Sequence, residues 1–253
     1  MSNSLSPSDI AKRAAAARAL DMVEDGMTLG LGTGSTAAWF VRLLSERMKS
    51  EGLEVVGVAT SSTTSWLAEE LGVPLKSLEA SDRIDLVVDG ADEFDGDLNL
   101  IKGGGAALLQ EKIVASAAER MVVVADPGKR VEHLGAFPLP VEVVRFGWPV
   151  TKTAVERVLA EMDVDGREVT VRMSNGEPLV TDEGHHIFDL HLGRIRDPAR
   201  LSVALNSLPG VVEHGLFIGM ADTVVVGFEN GAAEVVQRRL VPDAIELMRD
   251  EDA

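Results

Sequence analysis

Short apolar runs alternate with helically spaced stretches over the first half of the chain. Residues 27–31, 53–59, 84–88 and 121–125 are runs of the kind that parallel strands need, because such strands are buried on both faces. Between them, residues 37–49, 64–71 and 106–118 carry helical spacing. A further helix is predicted ahead of the first strand. Ser6 stands as its N-cap, Pro7 at its first helical position, and Asp9 reaches back to the cap, with an Ala-rich stretch to about residue 23. This alternation predicts a mostly parallel α/β sheet covered by helices on both faces.

The rhythm changes near Gly135, where Phe137-Pro138-Leu139-Pro140 interrupts it. A strand at 141–144, a helix at 150–162, strands near 169–173 and 186–190, a helix at 198–205 and a strand near Val211 follow. That β-α-β-β-α-β order predicts a small α+β unit of ferredoxin-like type. Residues 223–226 return as a buried strand of the first unit, and 232–248 read as a closing helix. The expected division is a larger domain of residues 1–134 and 217–253, with residues 135–216 inserted as the smaller one.

Composition narrows the function. The chain has 253 residues, with 24 basic and 41 acidic side chains and a formal net charge of −17. Nucleic-acid binding needs clustered Lys and Arg to neutralise phosphates, so that class is excluded, as is adhesion to anionic lipid. With no cysteine, disulfides, thiolate nucleophiles and Cys-based zinc sites are excluded too. No apolar run approaches the roughly 18–20 residues that span a bilayer, and the first residues lack an apolar signal core. The expectation is a soluble cytoplasmic protein. Only seven of the 24 basic residues are lysine, which with the acidic excess suits a salt-adapted surface.

Four segments could carry chemistry. Gly30-Leu31-Gly32-Thr33-Gly34-Ser35-Thr36 turns from strand to helix, where glycines and free amides accept an anion and the hydroxyls add donors. A nicotinamide reading fits the spacing of Gly32, Gly34 and Ala37, but residues 58–62 lack the acid that would hold a ribose. No lysine follows the last glycine, so a mononucleotide P-loop fails as well. Second, the strand ending in Asp89-Gly90-Ala91-Asp92-Glu93 delivers two carboxylates to the sheet edge where ligands bind. Carboxylates held close there can divide acid and base duties; the same residues also suit a solvated acidic turn or a Mg²⁺ site. Third, Lys102-Gly103-Gly104-Gly105 precedes a helix bearing Glu111. Three consecutive glycines are costly unless a ligand approaches the backbone, and Lys102 could hold an oxyanion. On the residues alone, Glu111 reads as an exposed helix-surface glutamate. Fourth, Lys129 in Asp126-Pro127-Gly128-Lys129 could meet a phosphate or simply face solvent. His185, Asp189 and His191 alternate along one predicted strand and could share a face as metal ligands, far from the glycine-rich turns.

Together these segments resemble type A ribose-5-phosphate isomerases. The resemblance is carried by GTGST (32–36), DGADE (89–93), KGGGAAL followed by EK (102–112), PLPVEV (138–143) and the later PGVVEHGLF, in the family's order and spacing. It implies a Rossmann-like α/β domain bearing a smaller α+β domain. It implies interconversion of D-ribose 5-phosphate and D-ribulose 5-phosphate through an enediol, in the pentose phosphate pathway, with no metal or organic cofactor. The implied general base is Glu111, with Asp89 and Asp92 assisting ring opening and hydroxyl proton transfer and Lys102 beside the reacting oxygens. The implied substrate contacts are Thr33, Gly34, Ser35 and Thr36; Asp89, Gly90, Ala91 and Asp92; Lys102, Gly103, Gly104 and Gly105; and Lys129. Lys12 or Arg13 is implied near the phosphate. A homodimer or homotetramer is the implied assembly. The TSSTTSW run (60–66) departs from the bacterial pattern in carrying no acid, outside the core motifs. Two rivals compete. A sugar-phosphate deaminase or lactonase needs an acid–base histidine at the sheet edge. A non-catalytic sugar-phosphate sensor has no need of Glu111.

Overall fold

A computed structural model describes residues 5–238. The chain opens with α1 (Pro7–Leu20), β1 (Thr28–Leu31), α2 (Ser35–Glu51), β2 (Val56–Ala59) and α3 (Ser62–Leu71). Next come β3 (Leu86–Gly90), the short strands β4 (Glu93–Phe94) and β5 (Leu100–Ile101), α4 (Leu108–Ser116) and β6 (Met121–Ala125). A 3-10 turn (Pro127–Lys129) leads to β7 (Leu139–Val143), α5 (Trp148–Ala160), β8 (Glu168–Val171), the hairpin β9 (Met173–Ser174) and β10 (Glu177–Pro178), and β11 (His186–His191). Then follow α6 (Pro198–Asn206), β12 (Val211–His214), β13 (Leu216–Phe217), β14 (Thr223–Gly227) and β15 (Ala233–Gln237).

Six strands form the central sheet in the order β15-β14-β6-β3-β1-β2. All neighbours are parallel except β14 and β15. Period-two alternation buries both faces. Leu86, Val88, Val122 and Val124 pack with Phe40, Leu44 and the alanines of α1, while Val87, Val123 and Met121 pack on the other side with Val114, Phe94 and Phe217. Ser6 caps α1 as expected, its hydroxyl accepting from the Asp9 N–H at 3.1 Å.

The smaller sheet runs β12-β7-β11-β8 and is antiparallel throughout. Counted within the unit, that is the order 4-1-3-2 expected of the ferredoxin-like pattern. Its core, including Val141, Val155, Leu159, Phe188 and Leu201, is separate from the cores of the large sheet.

Two features depart from the sequence reading. Residues 233–237 form the edge strand β15, not the start of a closing helix. Asn230-Gly231 is a hairpin turn signal, with Gly231 at φ +83° and the Phe228 N–H donating to Ala232 O. The remainder of the expected helix, 239–248, lies outside the described residues. Strands β13, β5 and β4 form a three-stranded antiparallel sheet that the sequence reading lacks. Two residues per strand are too few to register as a period.

Candidate active site

The glycine-rich segments meet at the carboxyl ends of β1, β3 and β6, around a cavity of about 230 Å³. In a parallel sheet this is the edge where strand order diverges and ligands settle. The cavity is lined by Thr33, Gly34, Ser35 and Thr36, by Gly90, Ala91 and Asp92, by Lys102 to Gly105, and by Glu111 and Lys129. Ser8, Lys12 and Asp126 complete its wall. Lys12 faces the cavity, whereas Arg13 lines a separate depression behind α1.

At its centre is a buried triad. Lys102, Asp89 and Glu111 are 2%, 1% and 5% exposed. The Lys102 ammonium donates to Gly90 O at 2.6 Å and to Glu111 Oε1 at 3.2 Å, and stands 2.9 Å from Asp89 Oδ2. Asp89 Oδ1 accepts from the amides of Thr33 (3.0 Å) and Gly90 (2.7 Å). Gly32 makes this approach feasible, because a Cβ there would overlap the Asp89 carboxylate and its Cα. Asp89 therefore sits behind the wall and does not itself line the cavity, a departure from the direct substrate contact expected of it.

Two carboxylates share one ammonium. Burial pushes the Glu111 carboxyl up to about 8; the Asp89 charge adds to this and Lys102 offsets part of it. Burial alone would lower Lys102, but the charges of Asp89 and Glu111 outweigh it and hold the ammonium above its usual range. Glu111 Oε2 has no hydrogen-bond partner. Glu111 thus departs from the exposed surface glutamate its residues alone suggest; it is a buried carboxyl in the first turn of α4.

The glycine loop is shaped around Asp92. Its Oδ2 accepts from the Gly104 amide at 2.7 Å, and a Cβ at Gly104 would collide with the same carboxylate. Gly103 sits at φ +106°, where a side chain is strained. Glu93, the last residue of the acidic motif, is used structurally and accepts from the amides of Gly135 (2.7 Å) and Phe137 (2.5 Å).

The hydroxyl run that reads as a departure outside the motifs reaches the first turn. Thr33 Oγ1 lies 2.9 Å from Thr60 Oγ1, 2.8 Å from Ser61 Oγ and 3.1 Å from Thr64 Oγ1. The strand histidines do not converge on a metal. His185 pairs with Glu142, Asp189 with Arg172, and His191 with Thr170. Among the described residues no group of three or more His, Asp or Glu is placed to hold a metal ion.

Two buried carboxylates around a lysine, at the ligand-binding edge of a parallel sheet, are the kind of arrangement found where an enzyme handles a small molecule. Comparison with known proteins gives the family. Residues 56–231 match the family model for ribose 5-phosphate isomerase A (phosphoriboisomerase A). The ribose-5-phosphate isomerase A of Cereibacter sphaeroides (strain KD131 / KCTC 12085) is 63% identical over 227 residues, covering 90% of this chain and 87% of the relative. That of Ruegeria sp. (strain TM1040) is 58% identical over 235 residues, covering 93% and 90%. Among solved structures, ribose 5-phosphate isomerase A from Methanocaldococcus jannaschii superposes with a TM-score of 0.82 at 40% identity, covering 92% of this chain and 100% of the other. A D-ribose-5-phosphate isomerase solved with phospho-erythronic acid superposes at 0.83 and 41% identity, covering 90% and 97%. The chain belongs to the ribose 5-phosphate isomerase A family.

Proposed function

We propose that this chain interconverts D-ribose 5-phosphate and D-ribulose 5-phosphate, with Glu111 as the base that moves a proton between C2 and C1. In the forward direction the carboxylate removes the C2 hydrogen of the open-chain aldose while O1 gains a proton, giving the enediol. Return of the proton to C1, with loss of the O2 proton, gives the ketose. Lys102 stabilises the developing oxyanion, and Asp92 with the glycine loop handles the sugar hydroxyls. Asp89, behind the wall, acts through Lys102. Lys12 and Lys129, with the amides at the start of α2, take the phosphate.

The observation that carries this reading is a buried Glu111 that shares the Lys102 ammonium with Asp89 while Glu111 and Lys102 both line the cavity. Relatives named as isomerases, one of them solved with a phosphorylated sugar acid, support it. The reading extends to the pentose phosphate pathway, a cytoplasmic homodimer or homotetramer, and the division into 1–134 with 217–253 and 135–216. Among the described residues no helix is long and apolar enough to cross a membrane.

The test is Glu111→Gln assayed in D2O by NMR. The wild-type protein is expected to convert ribose 5-phosphate with deuterium entering at C1, and the variant to bind the sugar without turnover. Normal turnover by the variant refutes the assignment. Turnover is also expected to survive EDTA; loss in chelator with recovery in Mg²⁺ overturns the metal-free route.

A further inference from the structure

Arg172 and Asp189 belong to the smaller unit, outside the glycine-rich and acidic motifs. Asp189 lies in β11, and Arg172 follows β8, its N–H donating to Ile187 O at 2.8 Å. Their side chains, 14% and 18% exposed, form a two-pronged ion pair. Arg172 Nε donates to Asp189 Oδ2 at 2.9 Å, and Nη2 donates to Oδ1. The remaining nitrogen reaches the glycine loop. Nη1 donates to Gly103 O at 2.7 Å and to Gly104 O at 3.3 Å.

The peptide geometry gives these contacts a consequence. A peptide unit is planar and trans, so its C=O and N–H point in opposite directions. The Gly103–Gly104 peptide is therefore gripped at both ends. Arg172 holds its carbonyl, and Asp92 Oδ2 takes its N–H at 2.7 Å. The next carbonyl, of Gly104, also faces Arg172, which turns the N–H of Gly105, a residue of the cavity lining, away from Arg172. Without this grip three consecutive glycines would sample many backbone states. The guanidinium suits the task because its fork can satisfy a carboxylate and still donate elsewhere, which a lysine cannot reproduce.

We propose that Arg172, held by Asp189, is a positioning residue for the isomerisation: it fixes two peptide planes of the glycine loop and thereby the orientation of Asp92 and the Gly105 amide. Arg172 does not line the cavity and acts only through the loop. The inference rests on the proposed roles of Asp92 and the loop in handling the sugar.

The test combines kinetics with native-state amide exchange on the full chain. Arg172→Ala is expected to lower kcat for ribose 5-phosphate by about 10- to 100-fold, the range a small misplacement costs. Arg172→Lys should recover only part of it. In an Asp92→Asn background the same Arg172→Ala change should cost far less, because the partner it positions is already altered. Equal losses in both backgrounds overturn the proposal, since a general structural role is additive. Exchange at the Gly104 amide should rise by about tenfold or more in Arg172→Ala while amides of β3 and β6 stay protected. Unchanged Gly104 protection overturns the proposal. Should Arg172→Ala lose protection throughout, Asp189→Asn and Arg172→Lys decide it by the same local readout. A wild-type protein inert on ribose 5-phosphate refutes the functional reading alone; the exchange measurement still decides the role of Arg172.

Discussion

Glu111→Gln should make the protein more stable as well as inactive, with a gain that depends on pH. Burial and Asp89 raise the Glu111 carboxyl from 4.5 to about 8. A folded-state value above the unfolded one means that this group favours the folded chain fully below pH 4.5, and that the advantage is lost as pH rises to about 8. The interval is about 3.5 pH units at about 1.4 kcal/mol each, so the loss reaches about 5 kcal/mol above pH 8 and about 3 kcal/mol at pH 7. The Gln variant carries no such charge at any pH. Urea unfolding of both proteins from pH 5 to pH 9 should therefore give a stability difference that grows in favour of the variant by about 1.4 kcal/mol per pH unit and flattens above 8. Titrating groups remote from the triad are common to both proteins and cancel. Parallel stability curves across this range would refute the claim that Glu111 is held protonated by its surroundings.

Lys102→Ala leaves two buried carboxylates unopposed. It should cost about 3–5 kcal/mol in urea unfolding at pH 9 and lower kcat by about 10²–10³-fold; an unchanged kcat removes the ammonium from the mechanism. Gly32→Ala forces a Cβ into the Asp89 carboxylate, so soluble protein with wild-type turnover would contradict the packing described. His214 is pushed down to about 4 by burial and then by the nearby Lys112 charge. Because that value is depressed, its stabilising effect is present above pH 6.5 and lost as pH falls to about 4. NMR of the imidazole should show no titration between pH 5 and 8, and a midpoint near 6.5 would overturn it.

The parallel strands were legible because burial on both faces leaves continuous apolar runs, and because glycines mark where each run turns into a helix. Strand β15 was less so: its two central valines fit either a strand or a helix, and the Asn230-Gly231 turn ahead of them was the deciding signal. The glycine motifs were legible as chemistry because a glycine run is costly unless something approaches the backbone. The state of Glu111 was not. Its sequence neighbours Gln110 and Lys112 look like a solvated helix face, and only the tertiary placement of α4 buries it. Lys12 and Arg13 lie about 100° apart around α1, so the tertiary frame alone decides which meets the cavity. Thr60, Ser61 and Thr64 look like a missing acid until Thr33 is seen to need their hydroxyls. Arg172 sits 69 positions from Gly103, and no local pattern could join them.

The geometry also bears on how the triad responds to substrate. An ammonium has three hydrogens, and three oxygens stand within 3.2 Å of Lys102 Nζ: those of Gly90, Asp89 and Glu111. On the proposed reading Lys102 must also meet an oxygen of the sugar; it donates to Gly90 O and Glu111 Oε1 and stands in ion-pair contact with Asp89, and the weakest of these contacts is the one most readily exchanged. Asp89 is anchored from behind by two amides, and Gly90 O makes the shortest contact. The Glu111 contact is the longest of the three and belongs to a residue of the cavity lining. Substrate would therefore draw Lys102 away from Glu111. That exchange places the positive charge on the oxygen where negative charge develops. It also removes from Glu111 the interaction that lowers its proton affinity, so the carboxylate, once its proton has left, is the stronger base toward a substrate hydrogen within reach.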